Sequence, residues 1–230
     1  MLICAFTPIC EDDVHWIPQY LSEVERLNVP FVVHFDRCSF DTQRRMRGSR
    51  LCLHATYQDD RSKEYDETMK QGAMDVALSR AEWAMHWDVD ETWSRLPTEM
   101  PNALALDVRW VNLWGDDQHI RVDGMFSEES RKRTKFYRRP PRHGRWVFRS
   151  SVVYGPTLLR NGVSVDVTPE YLSDVHCIHH GYKTPELRRQ HKARWDRVYG
   201  SHSDGRNPYG TWEFICDDSI VPVLEDYPGR

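Results

Sequence analysis

Asp88 and Asp90 stand two residues apart at the end of the apolar stretch that begins at Trp83. In an extended chain alternate residues share a face, so both carboxylates project to one side while Val89 points to the other. Paired carboxylates at a strand end suit a divalent cation such as Mg²⁺ or Mn²⁺, which takes oxygen ligands and often shares its coordination sphere with phosphates. The same pattern arises where a strand simply ends in acids. Other carboxylates that could take a proton from a hydroxyl are Asp116 and Asp117, beside Gly115, and Glu170 and Asp174. Paired acids next to glycine equally mark an exposed turn.

A second feature is cationic. Residues 131–149 hold nine Lys/Arg and no acid, interleaved with Phe136, Tyr137, Trp146 and Phe148. The rest of the chain carries 22 basic against 35 acidic residues, a net of −13. Backbone phosphates attract cations regardless of sequence and aromatic faces stack on bases, so Arg131, Lys132, Arg133, Lys135, Arg138, Arg139 and Arg142 are candidate nucleic-acid contacts. A solvated cationic hairpin is the plainer alternative.

These groups need a scaffold, and the N-terminal half supplies the pattern of one. Leu2–Phe6, Phe31–Asp36, Leu51–Ala55 and Trp83–Asp88 read as strands, and Trp16–Leu27 and Tyr65–Arg80 as helices with one apolar face. Ile17, Tyr20, Leu21, Val24 and Leu27 line the first such face, and Met69, Ala73, Val76 and Ala77 the second. The predicted class is α/β, with a mixed, mostly parallel central sheet flanked by helices. Beyond residue 100 the pattern is less regular, with strands expected over Ala103–Trp114, Arg145–Phe148 and Val175–Ile178. Thr184-Pro185-Glu186 opens a helix that runs to about Tyr199, with Thr184 as its cap and Pro185 in the first turn. Residues 200–210 are polar and glycine-rich, as in an exposed loop, and an acidic tail follows.

The apolar fraction of 40%, with nine tryptophans, excludes a disordered chain and suits one folded domain over 1–230. Six cysteines without a C-x-x-C pair suggest neither a zinc ribbon nor a disulfide framework. No apolar run reaches the length of a membrane span and the first residues lack a basic leader region, so a cytoplasmic protein is expected.

Three segments in register carry a family resemblance. Ala84-Met85-His86-Trp87-Asp88-Val89-Asp90-Glu91 resembles the apolar run and D-x-D-E of family 2-like glycosyltransferases of the GT-A fold. Phe31–Asp36 with the trailing Asp36, Ser39, Asp41 and Thr42 resembles that family's second strand and loop. Ile178-His179-His180-Gly181-Tyr182-Lys183-Thr184-Pro185-Glu186 resembles the segment that closes over a bound diphosphate. The likeness spans roughly residues 2–199.

It implies a nucleotide-sugar-binding half over 1–95, an acceptor half over 96–199 and a C-terminal loop and tail over 200–230. Thr7 and Pro8 would line the nucleotide, and Asp36 would meet the base or ribose. Asp88 would face ribose and metal, and Asp90 would bind the metal directly. His179 would be a further ligand, with His180 as the alternative, and imidazole ligation favours Mn²⁺ over Mg²⁺. Lys183, Arg188 and Lys192 would neutralise the diphosphate. The implied donor is a uridine diphosphate sugar such as UDP-glucose.

At the positions where the family places its catalytic base, Arg149–Tyr154, this chain has no acid. That leaves Asp116 and Asp117 as candidates and the stereochemical outcome open. The basic stretch points to DNA as acceptor, through a hydroxymethylated pyrimidine of the kind that bacteriophages glycosylate, in host cytoplasm. A surface-polysaccharide or lipid-linked glycan is the other acceptor. A metal-dependent nuclease or nucleotidyltransferase, and a non-catalytic nucleic-acid-binding module, are the readings from outside the family.

Overall fold

The computed structural model describes residues 2–58, 67–123, 126–127, 132–148, 156–199, 215–216 and 221–227. Its elements begin with β1 (Ile3–Cys10), a short 3-10 helix (Glu11–Trp16) and α1 (Ile17–Leu27). Next come β2 (Phe31–Asp36), α2 (Phe40–Arg47), β3 (Cys52–Gln58), α3 (Glu67–Arg80), β4 (Trp83–His86) and β5 (Glu91–Trp93). Then follow β6 (Ala105–Asn112), β7 (His119–Arg121), β8 (Lys132–Arg138), β9 (Gly144–Val147), β10 (Thr157–Arg160), β11 (Val163–Val165) and β12 (Glu170–His179). The described chain closes with α4 (Pro185–Tyr199) and β13 (Leu224–Asp226).

Local chemistry accounts for the helix boundaries. α1 has Pro18 in its first turn and ends at Asn28, whose φ of 52° is the left-handed conformation that asparagine tolerates as a cap. Of its predicted face, Ile17, Tyr20 and Val24 are fully buried, and Leu21 and Leu27 lie at the rim. α2 was not anticipated: its composition is charged and its apolar face is short. It is held by Ser39, whose side chain accepts from the Thr42 N–H at 3.3 Å. Thr184 caps α4 in the same way, accepting from Leu187 N at 3.3 Å. The predicted loop over 200–210 lies outside the described residues.

The class is α/β, built on an eight-stranded sheet in the order β3-β2-β1-β4-β8-β6-β12-β5. β3, β2, β1 and β4 are mutually parallel, as the N-terminal alternation predicts. The sheet as a whole is mixed rather than mostly parallel, because β8 runs antiparallel to β4 and β5 antiparallel to β12. Parallel neighbours need a long crossover, usually a helix. Among the described residues no α-helix lies between α3 and α4, so the strands in that interval turn back on each other. Among the described residues, α1 to α4 are too few to flank such a sheet fully.

The chain divides into two compact units. The first comprises 1–90, 96–107 and 134–172, and its core packs Ala73, Met74, Ala77 and Leu78 of α3 against Cys4, Phe6, Val32 and Ala84 of the parallel strands. Tyr137, Trp146 and Leu158 complete that core. The second comprises 91–95, 108–133 and 173–230, with a smaller apolar cluster of Val111, Leu113, Ile120 and Ile178.

Candidate metal centre

β5 and β12 pair with Glu91 opposite His179, Thr92 opposite Ile178 and Trp93 opposite Cys177. This register sets the last residue of β12 beside the first of β5, and Asp90 is the residue bonded to that first position. Asp90, His179 and His191 of α4 each offer one ligand atom, and these atoms all lie within 4.8 Å of one another. Asp90 and His179 are buried and His191 is half-buried.

The imidazoles are oriented by their surroundings. Nδ1 of His179 donates to Oδ1 of Asn112, the last residue of β6, at 2.8 Å. Nε2 is then the ring's acceptor nitrogen, the arrangement by which metal-binding histidines are usually fixed. The Trp110 ring lies 5.0 Å from that of His179, and its Nε1 donates to Oε1 of the buried Glu91 at 3.1 Å. Tyr182 presents its ring edge-on to both histidines, at 4.7 Å from His179 and 5.3 Å from His191. Two imidazoles and one carboxylate form a donor set that fits a divalent transition ion. Three ligand atoms about 2.1 Å from one ion lie roughly 3.0–3.6 Å apart, which falls inside the 4.8 Å that bounds this group.

Of the predicted metal ligands, Asp90 and His179 fall in this group. Asp88 and His180 do not. Nε2 of His180 lies 2.9 Å from Oγ1 of Thr92, as alternation along the chain requires when His179 faces the cluster. Asp88 lies 3.2 Å from Nε2 of His86 and 3.4 Å from Nζ of the buried Lys135. Burial works to raise its carboxyl, but His86 and Lys135 outweigh it and hold the group well below the usual range. His86 itself is pushed down to about 4, chiefly by burial. His191, Asn112 and Trp110 were not anticipated from sequence.

The other predicted groups have structural neighbours. Thr7 is fully buried in β1, with Oγ1 2.6 Å from the Tyr20 hydroxyl, and Pro8 is a buried β1 residue opposite His34. Both oxygens of the buried Asp36 accept from Arg37, at 2.8 and 3.0 Å, the positive φ of Arg37 folding it back onto its neighbour. Lys183 donates to Asp117 at 2.6 Å. The buried Arg188 lies over the Trp114 ring at 4.2 Å and donates to the Tyr182 carbonyl at 3.1 Å.

Asp116 closes a turn, accepting from the Gln118 and His119 N–H groups at 2.7 and 2.9 Å and lying 2.7 Å from the His119 ring. The Gln118 N–H first, and then the His119 ring, hold its carboxyl below the usual range, which makes it a weak base.

The basic stretch is largely tied into the first unit. Arg138 binds Glu82 and Asn102, Arg139 donates to the carbonyls of Leu78 and Ala81, and Arg145 pairs with Asp75. Arg133, in the second unit, lies over the Trp110 ring at 5.0 Å. Lys132 and Arg142 are exposed, and Arg131 lies outside the described residues. No helix of the described chain is long and apolar enough to cross a membrane. No protein-family model and no curated protein matches the chain.

Proposed function

We propose that this protein is a metal-dependent glycosyltransferase that moves a sugar from a nucleotide-sugar, tested first as a uridine diphosphate sugar, to a hydroxyl acceptor. One observation carries the reading. Asp90 of the D-x-D and His179 of the diphosphate-closing segment, 89 positions apart in the chain, have ligand atoms within 4.8 Å of each other. A strand end that was acidic by chance would have no reason to meet that particular histidine.

Asp90 and His179 would hold the cation, with Asn112 fixing the His179 ring. A bound ion neutralises the charge that develops on a departing diphosphate. His86 and Lys135 keep Asp88, the first acid of the D-x-D, ionised, and it would accept a hydrogen bond from a ribose hydroxyl. Asp116 is not retained as the base, since its lone pairs are committed to its own turn.

For the acceptor, hydroxymethylpyrimidine DNA remains the first candidate, resting on the cationic stretch, of which Lys132 and Arg142 are exposed. The decisive experiment is a thermal-shift and turnover screen of nucleotide-sugars with and without Mn²⁺, with modified DNA, plain DNA and glycans as acceptors. A donor at 100 times its Kd stabilises by about 2.7 kcal/mol, or roughly 5–10 °C for a chain of this size. A shift that requires both donor and Mn²⁺ supports the reading, and no shift with any donor overturns it.

A further inference from the structure

We infer that His191 is a metal ligand and that, with Asp90 and His179, it makes this centre selective for a first-row transition ion that accepts nitrogen donors, such as Mn²⁺, Fe²⁺, Co²⁺ or Zn²⁺, over Mg²⁺ and Ca²⁺. The inference concerns the same site as the transferase reading, and it is tested on protein and metal alone.

His191 has no counterpart among the residues that the D-x-D and closing segment imply. It comes from the second turn of α4, and the packing explains why it faces inward. Arg188, three residues earlier, is buried over Trp114 and donates to the Tyr182 carbonyl, which anchors that turn of the helix. Residues three apart share a helix face, so His191 is carried to the same side. Its ring lies 5.8 Å from that of His179, and Tyr182 brackets both.

The chemistry follows from the donors. Mg²⁺ and Ca²⁺ take oxygen ligands, and Mg²⁺ is bound through carboxylates and retained waters. Here two of the three grouped donors are nitrogens and only Asp90 supplies charge. Imidazole suits zinc, iron and their neighbours in the first transition row, so the second histidine moves the preference beyond that of a D-x-D alone. Because three ligands leave positions open, the ion would keep room for a substrate oxygen.

The test is titration of the full chain with Mn²⁺, followed by the loss of the free-ion electron paramagnetic resonance signal, with no nucleotide-sugar present. One Mn²⁺ should bind per chain and resist a large excess of Mg²⁺. His191→Ala should lose affinity by at least about tenfold, a ligand costing no less than the residues that merely orient one.

His191→Asp keeps a donor at the position but replaces nitrogen by oxygen, and should move the Mn²⁺-to-Mg²⁺ preference toward Mg²⁺, which a packing role for His191 would not do. Circular dichroism melts establish that each variant is folded, and if His191→Ala does not fold, His191→Asp decides alone. Equal displacement by Mg²⁺ in the parent protein, an unchanged preference in His191→Asp, or no Mn²⁺ binding would overturn the inference. Selective Mn²⁺ binding without turnover of any nucleotide-sugar would preserve it and remove the transferase reading instead.

Discussion

Replacing Arg138 and Arg139 together by alanine separates a nucleic-acid surface from an internal brace. Arg139 donates through Nε to the Leu78 carbonyl at 2.7 Å and through Nη2 to the Ala81 carbonyl at 2.9 Å. These lie at the C-terminal end of α3, where unsatisfied carbonyls and the helix dipole both favour a cation. Charged hydrogen bonds of this kind contribute about 1.5–3 kcal/mol when buried. Arg139 is mostly exposed, so about 1–2 kcal/mol for both is the reasonable figure.

Arg138 adds an ion pair with Glu82 at 2.8 Å and a bond to Asn102 at 2.8 Å, both partly hydrated, for about 1 kcal/mol. The double variant should lose about 2–3 kcal/mol, or roughly 5–10 °C in Tm. Its DNA affinity, if the protein binds DNA, should keep nearly the parent salt dependence. Arg142→Ala should behave oppositely, leaving Tm within about 1 °C and flattening log K against log salt by about 0.7–0.9 if it meets one phosphate. An unchanged Tm with a flattened slope in the Arg138/Arg139 variant would refute the brace.

Thr7→Val leaves the Tyr20 hydroxyl buried and unsatisfied, so denaturant unfolding should show a loss of about 1–3 kcal/mol while donor affinity is unchanged. A selective loss of donor affinity would instead place Thr7 at the nucleotide. Burial holds His34 below its ordinary value, against the opposing pull of Asp36, so folding favours the neutral ring. Its contribution is complete above the unfolded value of about 6.5 and is lost as pH falls below it, at up to about 1.4 kcal/mol per pH unit. His34→Gln should therefore narrow the loss of Tm between about pH 6.5 and 5, and an identical slope in both proteins would exclude His34 as its source. Asn112→Ala should weaken Mn²⁺ binding about 10–100-fold by releasing the His179 ring, whereas unchanged binding would mean that Asn112 does not orient a ligand.

The N-terminal half was legible because its signals are local. β2 matches its predicted bounds, and Ala73 and Ala77 of α3 face the core as their spacing implies. β1 runs on through Thr7 and Pro8 to Cys10 because a proline beginning no new turn is tolerated in a strand where its missing N–H is not called on. What sequence could not give is the direction of strands beyond β4. Alternation and apolar content are the same in a parallel and an antiparallel strand, and only the connections tell them apart.

The site divides along the same line. Asp90 and His179 stood out because each lies in a short motif whose residue types already suggest a ligand. His191 lies in a charged helix, Pro185–Tyr199, where a single histidine among four arginines and one lysine carries no motif of its own. One signal was available: Leu187, Arg188 and His191 are spaced by one and three, so an inward-facing Arg188 brings His191 with it. Arginines are seldom buried, and this one is buried where Trp114 offers its ring and Tyr182 its carbonyl. Helix α4 is thus anchored by a cation that sequence reading assigns to phosphate. If that anchoring holds, Arg188→Met should loosen α4 and lower Mn²⁺ affinity, and an Arg188→Met variant with parent-like Mn²⁺ binding would show that the helix finds its place without it.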